Sequence, residues 1–359
     1  GVLALAFLVS IASYLSAHCS LAYAQLDVTN FGALGDGRHD DSPAFLKAWK
    51  TLCESSEQSP ALIVPEGKTF LLQPLAFSGP CKSRDVRIQI DGVIIAPTRK
   101  NFNPNCPNHW IRFANVDNLA MDGKGKLDGQ GATWWKEISQ VNEMLPQSEK
   151  FEFIGIYFYK CPNLRLTGIK SINPPHNHIG ITKCNGAVIS NLYIEAPDDS
   201  PNTDGIDISS TSNMTIRNCF IGTGDDCIAI KDGAKFLTIR NVTCGPGHGI
   251  SVGSLGRNGN NETVEDVTVQ DCTFTGVQNG ARIKTAKGGS GWVRRISFIN
   301  LIMVDAKRPI IVDQRYCPHN ECLQPANTSS ALEINDISFI NIHGTSGTLE
   351  AITLKSELQ

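Results

Sequence analysis

An excess of charge of one sign is what this chain of 359 residues most clearly lacks. Its 32 Lys and Arg residues offset 35 Asp and Glu residues, which leaves a formal charge of −3. Such a balance excludes the bulk electrostatic attraction by which basic domains bind nucleic acid or anionic membranes. We therefore expect no nucleic-acid partner, and any anionic ligand has to be held by local cations.

Long hydrophobic runs are lacking too, apart from residues 1–17. His18-Cys19-Ser20 interrupts that run before the ~20 apolar residues of a membrane-spanning helix are reached. Small residues follow at Ala22-Tyr23-Ala24, as is typical of a secretory signal peptide. We expect residues 1–24 to be removed, and residues 25–359 to form one secreted, extracellular domain without membrane attachment.

Helical patterning is scarce as well. Apolar residues at helical spacing stand out only from Ala44 to Cys53, where Ser42 is the predicted N-cap and Pro43 suits the first turn. Elsewhere, short alternating apolar runs among 32 glycines and 18 prolines predict strands and turns. We expect this single helix to cover an apolar surface of an all-β fold.

Six of these short runs share one pattern, in which alternating apolar residues are followed by Asn or Asp. The steps between the aligned polar positions are 27, 23, 30, 29 and 41 residues, within or near the range of repeat architectures. Asn and Asp tolerate left-handed backbone at a corner and can hydrogen-bond between stacked copies. The pattern favours a parallel β-helix over an antiparallel sandwich, whose hairpin turns recur about every 8–12 residues. The six positions are Asn191, Asn218, Asn241, Asp271, Asn300 and Asn341.

Polar clusters recur at nearly the same spacing as the coils. The step from Asp204 to Asp226 is 22 residues, the step to His248 is 22 more, and Arg282 follows after 34. Because parallel strands lie ~4.8 Å apart, residues one coil apart become neighbours. We expect three carboxylates, an imidazole and two cations to share one surface. The clusters are Asn202-Thr203-Asp204-Gly205, Gly224-Asp225-Asp226, Gly247-His248-Gly249 and Arg282-Ile283-Lys284.

This set of side chains suits the hydrolysis of an acidic glycan. Two carboxyl groups that flank a glycosidic bond can protonate the leaving oxygen and activate water. Crowded carboxylates raise at least one pKa, and adjacent Asp225 and Asp226 can act together only if the strand is interrupted there. Arg282 and Lys284, two residues apart, point the same way and suit a carboxylate of the substrate. Each cluster alone is typical of a turn, but their joint spacing favours a site.

In this order the four clusters resemble the signature motifs of polygalacturonases, the pectin-degrading glycoside hydrolases of family 28, and the surrounding sequence resembles plant members. The resemblance runs from about Val28 to Thr353. It implies a right-handed, single-stranded parallel β-helix with an N-terminal capping helix. It also implies hydrolysis of α-1,4-linked galacturonan in the cell wall with inversion, without a metal or cofactor. The segment Gly205–Ser209 is more similar to endo-acting members.

The resemblance further implies a role for each matching residue. Asp225 is the expected proton donor, Asp204 and Asp226 are expected to activate water, and His248 to support the acid by a hydrogen bond. Arg282 and Lys284 are expected to bind a galacturonate carboxylate. Asn202 is expected to line the site, and Tyr316 matches a tyrosine that contacts the substrate.

Cysteines and sequons fit a secreted chain. Eleven cysteines follow the predicted signal peptide, so at least one thiol is left without a partner in the chain. We predict disulfides between Cys53 and Cys81, between Cys227 and Cys244, and between Cys317 and Cys322, and a buried free thiol at Cys219. Sequons begin at Asn213, Asn241, Asn261 and Asn327.

Several alternatives stay open at this point. Family members usually extend past the segment that ends at Gln359, so we expect truncated C-terminal coils and a less stable end. We expect a monomer that binds pectin. The alternatives are an exopolygalacturonase, a rhamnogalacturonan or xylogalacturonan hydrolase, a calcium-dependent lyase on a similar β-helix, and an inactive pectin-binding wall protein.

Overall fold

Parallel strands make up most of the protein. The computed structural model describes residues 25–102, 109–135, 153–317 and 331–356, so the predicted signal peptide and the sequon at Asn327 lie outside the described residues. Within these ranges there is one α-helix, α1 (Ser42–Glu54). The strands are β1 (Gln25–Asp27), β2 (Asp36–Asp40), β3 (Ala61–Val64), β4 (Thr69–Leu71), β5 (Leu75–Ser78), β6 (Val86–Ile90), β7 (Val93–Ile95), β8 (His109–Ala114), β9 (Leu119–Asp122), β10 (Lys126–Asp128), β11 (Ile154–Tyr159), β12 (Arg165–Thr167), β13 (Lys170–Ile172), β14 (Ile179–Thr182), β15 (Val188–Ser190), β16 (Tyr193–Glu195), β17 (Ile206–Ser209), β18 (Ser212–Gly222), β19 (Ile228–Ile230), β20 (Ala234–Cys244), β21 (Ile250–Leu255), β22 (Asn261–Gln270), β23 (Thr273–Thr275), β24 (Asn279–Thr285), β25 (Ser290–Ala306), β26 (Arg308–Asp313), β27 (Glu333–Ser346) and β28 (Ile352–Lys355).

The strands stack coil upon coil. A ten-stranded sheet runs from β5 to β28, with one strand from each successive coil, and its neighbours pair in parallel. The other described strands form an eighteen-stranded sheet, also paired in parallel, that covers the remaining sides of the coils. The predicted parallel β-helix is confirmed.

Asparagine and aspartate turn the corners between strands, as the repeat pattern predicts. All six shared positions have φ between 51° and 56°, in the left-handed region. Three of them donate side-chain hydrogen bonds to the corner residue of the previous coil. Asn241 Nδ2 donates to Asn218 Oδ1 at 2.9 Å, and Asn300 Nδ2 donates to Asp271 Oδ1 at 3.0 Å. Asn341 Nδ2 donates to Asn300 Oδ1 at 2.8 Å, so polar ladders run along the corner.

Apolar residues fill the inside of the coils in register. Ile179, Ile206, Ile228 and Ile250 align on four successive strands of the ten-stranded sheet, and each is fully buried. Burying each such side chain contributes about 1.5–3 kcal/mol relative to its exposed state. Because strand residues alternate between faces, this inward set leaves the next position of each strand on the outer face. That outer face carries the polar residues described below.

Helix α1 closes the N-terminal end of the coils. The Phe45 ring packs edge-on against Phe70, with 5.4 Å between ring centroids. The Trp49 indole donates to the Ser78 carbonyl at 3.1 Å, and the whole apolar stripe is largely buried. The prediction that this helix covers an apolar surface is confirmed. No helix among the described residues is both long enough and apolar enough to span a membrane.

The predicted N-cap at Ser42 is wrong by one residue. Ser42 is the first helical residue, and Asp41 precedes it without a side-chain capping bond. The Asp41 carboxylate is engaged elsewhere, because it accepts from the N–H groups of Leu34 at 2.7 Å and Gly35 at 3.2 Å. The preceding loop therefore competes for the group that the helix start would otherwise use.

Two of the three predicted disulfides are present. Cys53 is bonded to Cys81, and Cys227 is bonded to Cys244. Cys317 is disulfide-bonded, and its predicted partner Cys322 lies outside the described residues. The prediction of a buried free thiol at Cys219 is confirmed.

Candidate active site

The predicted acids lie where the chain enters strands of the ten-stranded sheet. Asp204 comes shortly before β17, and Asp226 comes shortly before β19. Gly205 N–H donates to the Asp226 carbonyl at 2.8 Å, which extends the strand ladder past its ends. On the next coil, Cys227 N–H donates to the Gly249 carbonyl at 2.8 Å, directly after His248. Three successive coils therefore present Asp204, Asp226 and His248 at equivalent positions.

The chain between β18 and β19 leaves regular strand geometry at Asp225. Gly224 makes this possible, because a Cβ there would lie 2.0 Å from the Ser200 carbonyl oxygen. The Thr203 hydroxyl accepts from Gly224 N–H at 3.0 Å and ties this turn to the preceding coil. Asp226 N–H donates to Asp225 Oδ1 at 2.8 Å and holds that carboxyl group at the turn, whereas the Asp226 carboxyl group points toward Arg282 and Lys284.

Asp226 is at the centre of a buried ionic cluster. Its Oδ1 accepts from Arg282 Nη2 and from the Ser251 hydroxyl, the latter at 2.8 Å. Its Oδ2 accepts from Lys284 Nζ at 2.7 Å. Arg282 Nε donates to the Ser251 hydroxyl at 2.7 Å, which closes the network. Register explains this arrangement, because Ser251 and Arg282 are paired on β21 and β24 and both face outward.

The carboxyl groups are held in different protonation states. Burial would raise the pKa of Asp226, but the charges of Arg282 and Lys284 outweigh it and hold that pKa below its usual range. Burial raises the pKa of Asp204 well above its usual range, and among the neighbouring carboxylates Asp225 adds most to that rise. The cluster therefore pairs an ionised Asp226 with an Asp204 that holds a proton more readily.

Asp225 is partly open to solvent. Its side chain is 22% exposed, and its Oδ1 lies 2.8 Å from His248 Nδ1. The imidazole belongs to the next coil and is 24% exposed. A carboxyl group that is partly exposed and bonded to an imidazole can exchange a proton with a bound molecule.

The last two predicted residues differ in how closely they approach the cluster. The Tyr316 ring lies beneath the Lys284 ammonium group, with 5.2 Å from Nζ to the ring centroid. Tyr316 N–H donates to the Thr285 carbonyl at 3.0 Å, which fixes this segment beside β24. Asn202 is exposed in the turn before Thr203, and no contact within the described residues joins it to the cluster. The structure brings together seven of the eight predicted residues and leaves Asn202 at the edge.

The comparison with protein families agrees with this geometry. The model of glycosyl hydrolases family 28 matches residues 53–359, which include every residue of the cluster. The chain belongs to glycosyl hydrolases family 28. It is therefore a glycoside hydrolase, as the sequence motifs predict.

Relatives of this family 28 chain include plant proteins. A probable polygalacturonase of Arabidopsis thaliana is 46% identical over 321 residues, covering 89% of this chain and 68% of the relative. An exopolygalacturonase of Zea mays is 41% identical, covering 91% and 78%. Among solved structures, the endo-xylogalacturonan hydrolase of Aspergillus tubingensis superposes with a TM-score of 0.75 at 22% identity, covering 92% and 95%. At that identity, the structural match supports the fold alone.

Part of the family 28 cluster also has the spacing of a metal site. One donor atom from each of Asp225, Asp226 and His248 lies within 4.8 Å of the others. Both Asp226 oxygens, however, already accept hydrogen bonds from the cations Arg282 and Lys284. A metal ion would have to displace or sit beside these two positive charges, which disfavours it. The absence of a catalytic metal stays a prediction.

Sequence reasoning missed a second polar network on the same face of this hydrolase. Asp207 Oδ2 accepts from Lys231 Nζ at 2.6 Å and from Asn177 Nδ2, and Asn177 Oδ1 contacts His176 Nδ1. Asp207 Oδ1 is buried without a hydrogen-bond partner among the described residues. The signal was periodic, since Asp207 lies three residues after Asp204 at an outward strand position, and Lys231 occupies an outward position one coil later.

Proposed function

We propose that the chain is a polygalacturonase that hydrolyses α-1,4 linkages between galacturonate residues of pectin, with inversion at the anomeric carbon. The supporting observation is that two buried cations, Arg282 and Lys284, are held beside three carboxyl groups. Carboxyl pairs suit the cleavage of a glycosidic bond, and cations suit a sugar that carries its own carboxylate. A neutral glycan would leave the two cations without a partner on the substrate.

Asp225 is proposed as the proton donor. Its exposure and its contact with His248 allow it to reach the glycosidic oxygen. As the bond from the anomeric carbon to that oxygen breaks, the leaving sugar takes the Asp225 proton. A water molecule attacks the opposite side of the anomeric carbon and loses a proton to the carboxylates of Asp204 and Asp226. One water is consumed, and the cluster ends with the number of protons with which it began.

The directions of the pKa shifts distinguish the two proposed water-activating acids. Arg282 and Lys284 hold the pKa of Asp226 below its usual range and keep that carboxyl group ionised, whereas burial and the charge of Asp225 raise the pKa of Asp204. A proton taken up at Asp204 from water can therefore return to Asp225 before the next turnover. His248, bonded to Asp225, supports the acid and orients its carboxyl group.

The two cations can serve Asp226 and the substrate together. An Arg side chain has five N–H donors and a Lys ammonium has three. Arg282 uses donors on Ser251 and Asp226, and Lys284 uses one on Asp226, so both retain donors for a galacturonate carboxylate. Tyr316, under Lys284, is proposed to contact the same sugar, and Asn202 to line the edge of the cleft.

The finer points of function follow from the same proposal. We propose endo action on homogalacturonan, supported by the similarity of Gly205–Ser209 to endo-acting members. We also propose that residues 1–24 are a signal peptide and that residues 25–359 act as a monomeric domain in the cell wall. Two disulfides and the exposed sequon residues Asn213 and Asn241 support an oxidising, extracellular compartment.

The test is the release of reducing ends from polygalacturonate with and without a chelator. Activity that survives the chelator without new ultraviolet absorbance indicates hydrolysis, whereas absorbing products and chelator sensitivity would indicate a lyase. A ladder of oligomers indicates endo action, and monomer alone indicates exo action. We expect Asp225→Asn to lower kcat about 10²–10⁴-fold, since it removes the general acid. Full activity in that variant would overturn the mechanism.

A further inference from the structure

Tyrosine and basic residues form a second polar surface on the same outer face, on coils that precede the catalytic cluster. We propose that this surface, the tyrosine patch, is a distal subsite that binds a carboxylate-bearing sugar of a long acidic polysaccharide. The inference rests on the proposed function, because it extends the binding of the same substrate. The patch consists of Arg112, Tyr157, Tyr159, Lys160 and Lys183.

The patch surrounds the ring of Tyr159 with positive charge. Arg112 Cζ lies 5.5 Å from the ring centroid, Lys160 Nζ lies 5.3 Å from it, and Lys183 Nζ lies 5.8 Å from it. No carboxylate of the described residues forms an ion pair with any of these three cations. Arg112 Nε is buried and has no hydrogen-bond partner among those residues. Three cations on one ring repel one another, so an anion placed among them is stabilised.

Backbone conformation alone does not account for the two lysines. Lys160 and Lys183 have φ of 52° and 57°, in the left-handed region where Asn, Asp and Gly are favoured. Asn115 and Ser210 occupy the equivalent corners on the flanking coils, so a short polar residue suffices there. The corner conformation itself therefore does not require lysine at either position.

Two neighbouring tyrosines supply a surface for a sugar ring, and one of them, Tyr157, is held by stacking on His109 with 4.3 Å between ring centroids. The rings of Tyr157 and Tyr159 lie 6.3 Å apart at an interplanar angle of 20°. The Tyr157 ring leans over the next coil, where a Cβ on Gly180 would lie 2.8 Å from Tyr157 Cδ2. An aromatic face beside cations fits a pyranose ring that carries a carboxylate, because the ring packs on apolar C–H groups while the cations bind the acid.

Register connects the patch to the catalytic cluster. Tyr157 aligns through Gly180 with Asp207, and Asp207 aligns with Ala229 on the strand that follows Asp226. The three strand spacings from β11 to β19 amount to roughly 14 Å. Between them, the outward residues of this row are Gly180 on β14 and Asp207 on β17, and the Asp207 side chain is buried. A chain of several sugars can span both sites, whereas a short oligomer bound at the acids cannot.

The experiment compares long and short substrates in the variant Tyr159→Ala/Lys160→Asn/Lys183→Asn. Asparagine is chosen because it tolerates the left-handed corners. We expect kcat/KM on polygalacturonate to fall about tenfold, mainly through KM, because each lost contact contributes a severalfold change. On trigalacturonate the change is expected to stay below about twofold. Equal losses on both substrates, or no loss on the polymer, would overturn the proposal.

A matched control removes the same chemistry from the other sheet. Lys170 Nζ lies 5.8 Å from the Tyr193 ring centroid, and both residues belong to the eighteen-stranded sheet. We expect Lys170→Asn/Tyr193→Ala to hydrolyse both substrates like the unmodified protein. If the triple variant fails to fold, as judged by its melting temperature, Lys183→Asn alone is expected to lose about two- to threefold on the polymer only.

Binding measurements separate this proposal from the proposed function. Calorimetric titration with polygalacturonate is carried out on Asp225→Asn, with and without the patch substitutions. We expect about tenfold weaker binding without the patch, and a smaller difference in 0.5 M NaCl because salt screens exposed charges. An unmodified protein that binds but does not hydrolyse would refute the proposed function alone. Unchanged binding after loss of the patch would refute the subsite alone.

Discussion

Two ionic clusters of similar composition are held on the two sheets, and they differ mainly in burial. In both, nitrogen and carboxylate oxygen atoms lie less than 3 Å apart. In the cleft cluster, Asp226 is 1% exposed, whereas in the outer cluster the Arg294 side chain is 37% exposed. The cleft cluster comprises Asp226, Arg282 and Lys284, and the outer cluster comprises Glu265, Asp266, Arg294 and Arg295.

The difference in burial determines the energetic cost of each cluster and, with it, the role of the cluster. Exposed ion pairs contribute about 0–1 kcal/mol, because water and salt screen the charges. Buried charges cost several kcal/mol to desolvate and are tolerated only when partners compensate them. Asp226 meets that condition with two cations and the Ser251 hydroxyl. The ten-stranded sheet bears that cost, and the solvated pairs lie on the eighteen-stranded sheet, which indicates that the chemistry takes place at the buried cluster.

The largest expected effect comes from removing one cation of the cleft cluster. We expect Arg282→Met to lower the free energy of unfolding by about 3 kcal/mol, since it leaves Asp226 buried with Lys284 as its one remaining cation. Hydrolysis of polygalacturonate is expected to fall as well, mainly through a higher KM. Urea unfolding and initial rates measure the two effects.

The outer cluster provides the matched control for that variant. Arg294→Met removes an arginine of the same length from an ion pair of 2.7 Å with Glu265. If both substitutions changed stability by the same amount, burial would not be what distinguishes the two clusters. Burial would then not account for the different roles of the cleft cluster and the outer cluster.

The sequence alone predicted the stacked coils that carry the catalytic residues well. The corner asparagines and the steps between clusters are local, periodic signals, and each translates directly into backbone position once coils stack. Asp204, Asp226 and His248 reach equivalent positions for that reason. The N-cap at Ser42 failed because a tertiary contact, from Asp41 to the preceding loop, overrode a local preference.

Side-chain partners could not be predicted in the same way. The sequence predicts that Arg282 and Lys284 bind a substrate carboxylate, and it does not indicate that both also bind Asp226, as they do in the structure. That pairing depends on which way the Asp226 carboxyl group turns after Gly224, and periodicity does not determine this. The Asp207 and Lys231 pair was missed because neither residue belongs to one of the four polar clusters.

A smaller effect, opposite in direction, is expected from Asp204. The raised pKa of folded Asp204 means that its contribution to stability is full below the ordinary value of 3.8 and is lost as pH rises through the folded pKa. We therefore expect Asp204→Asn to raise the melting temperature at pH 7 by about 2–4 °C, and to change it little at pH 3.5. Activity is expected to fall, because the variant loses a proposed water-activating carboxylate.

In the outer cluster, Asp266 tests the opposite pH dependence, because its pKa is lowered and not raised. Hydrogen bonding from Arg295 holds the pKa of Asp266 below its usual range. The contribution of Asp266 to stability is therefore present at pH values above its ordinary pKa, and it is lost as pH falls through the folded pKa. Asp266→Asn should slightly lower the melting temperature at pH 7. A rise in both variants would mean that net charge, and not burial, determines the result.

The smallest expected effect is that of Arg294→Met, which loses less than about 1 kcal/mol of unfolding free energy. The guanidinium group pairs with Glu265 but stays in contact with water. Hydration therefore offsets most of the free energy that the ion pair contributes. Its position 4.7 Å from the Trp292 ring centroid adds a packing contribution that methionine retains in part. A double-mutant cycle with Glu265→Gln isolates the ionic contribution, and 1 M NaCl should abolish the coupling energy. A coupling that persists in high salt would show that this exposed pair behaves like the buried one.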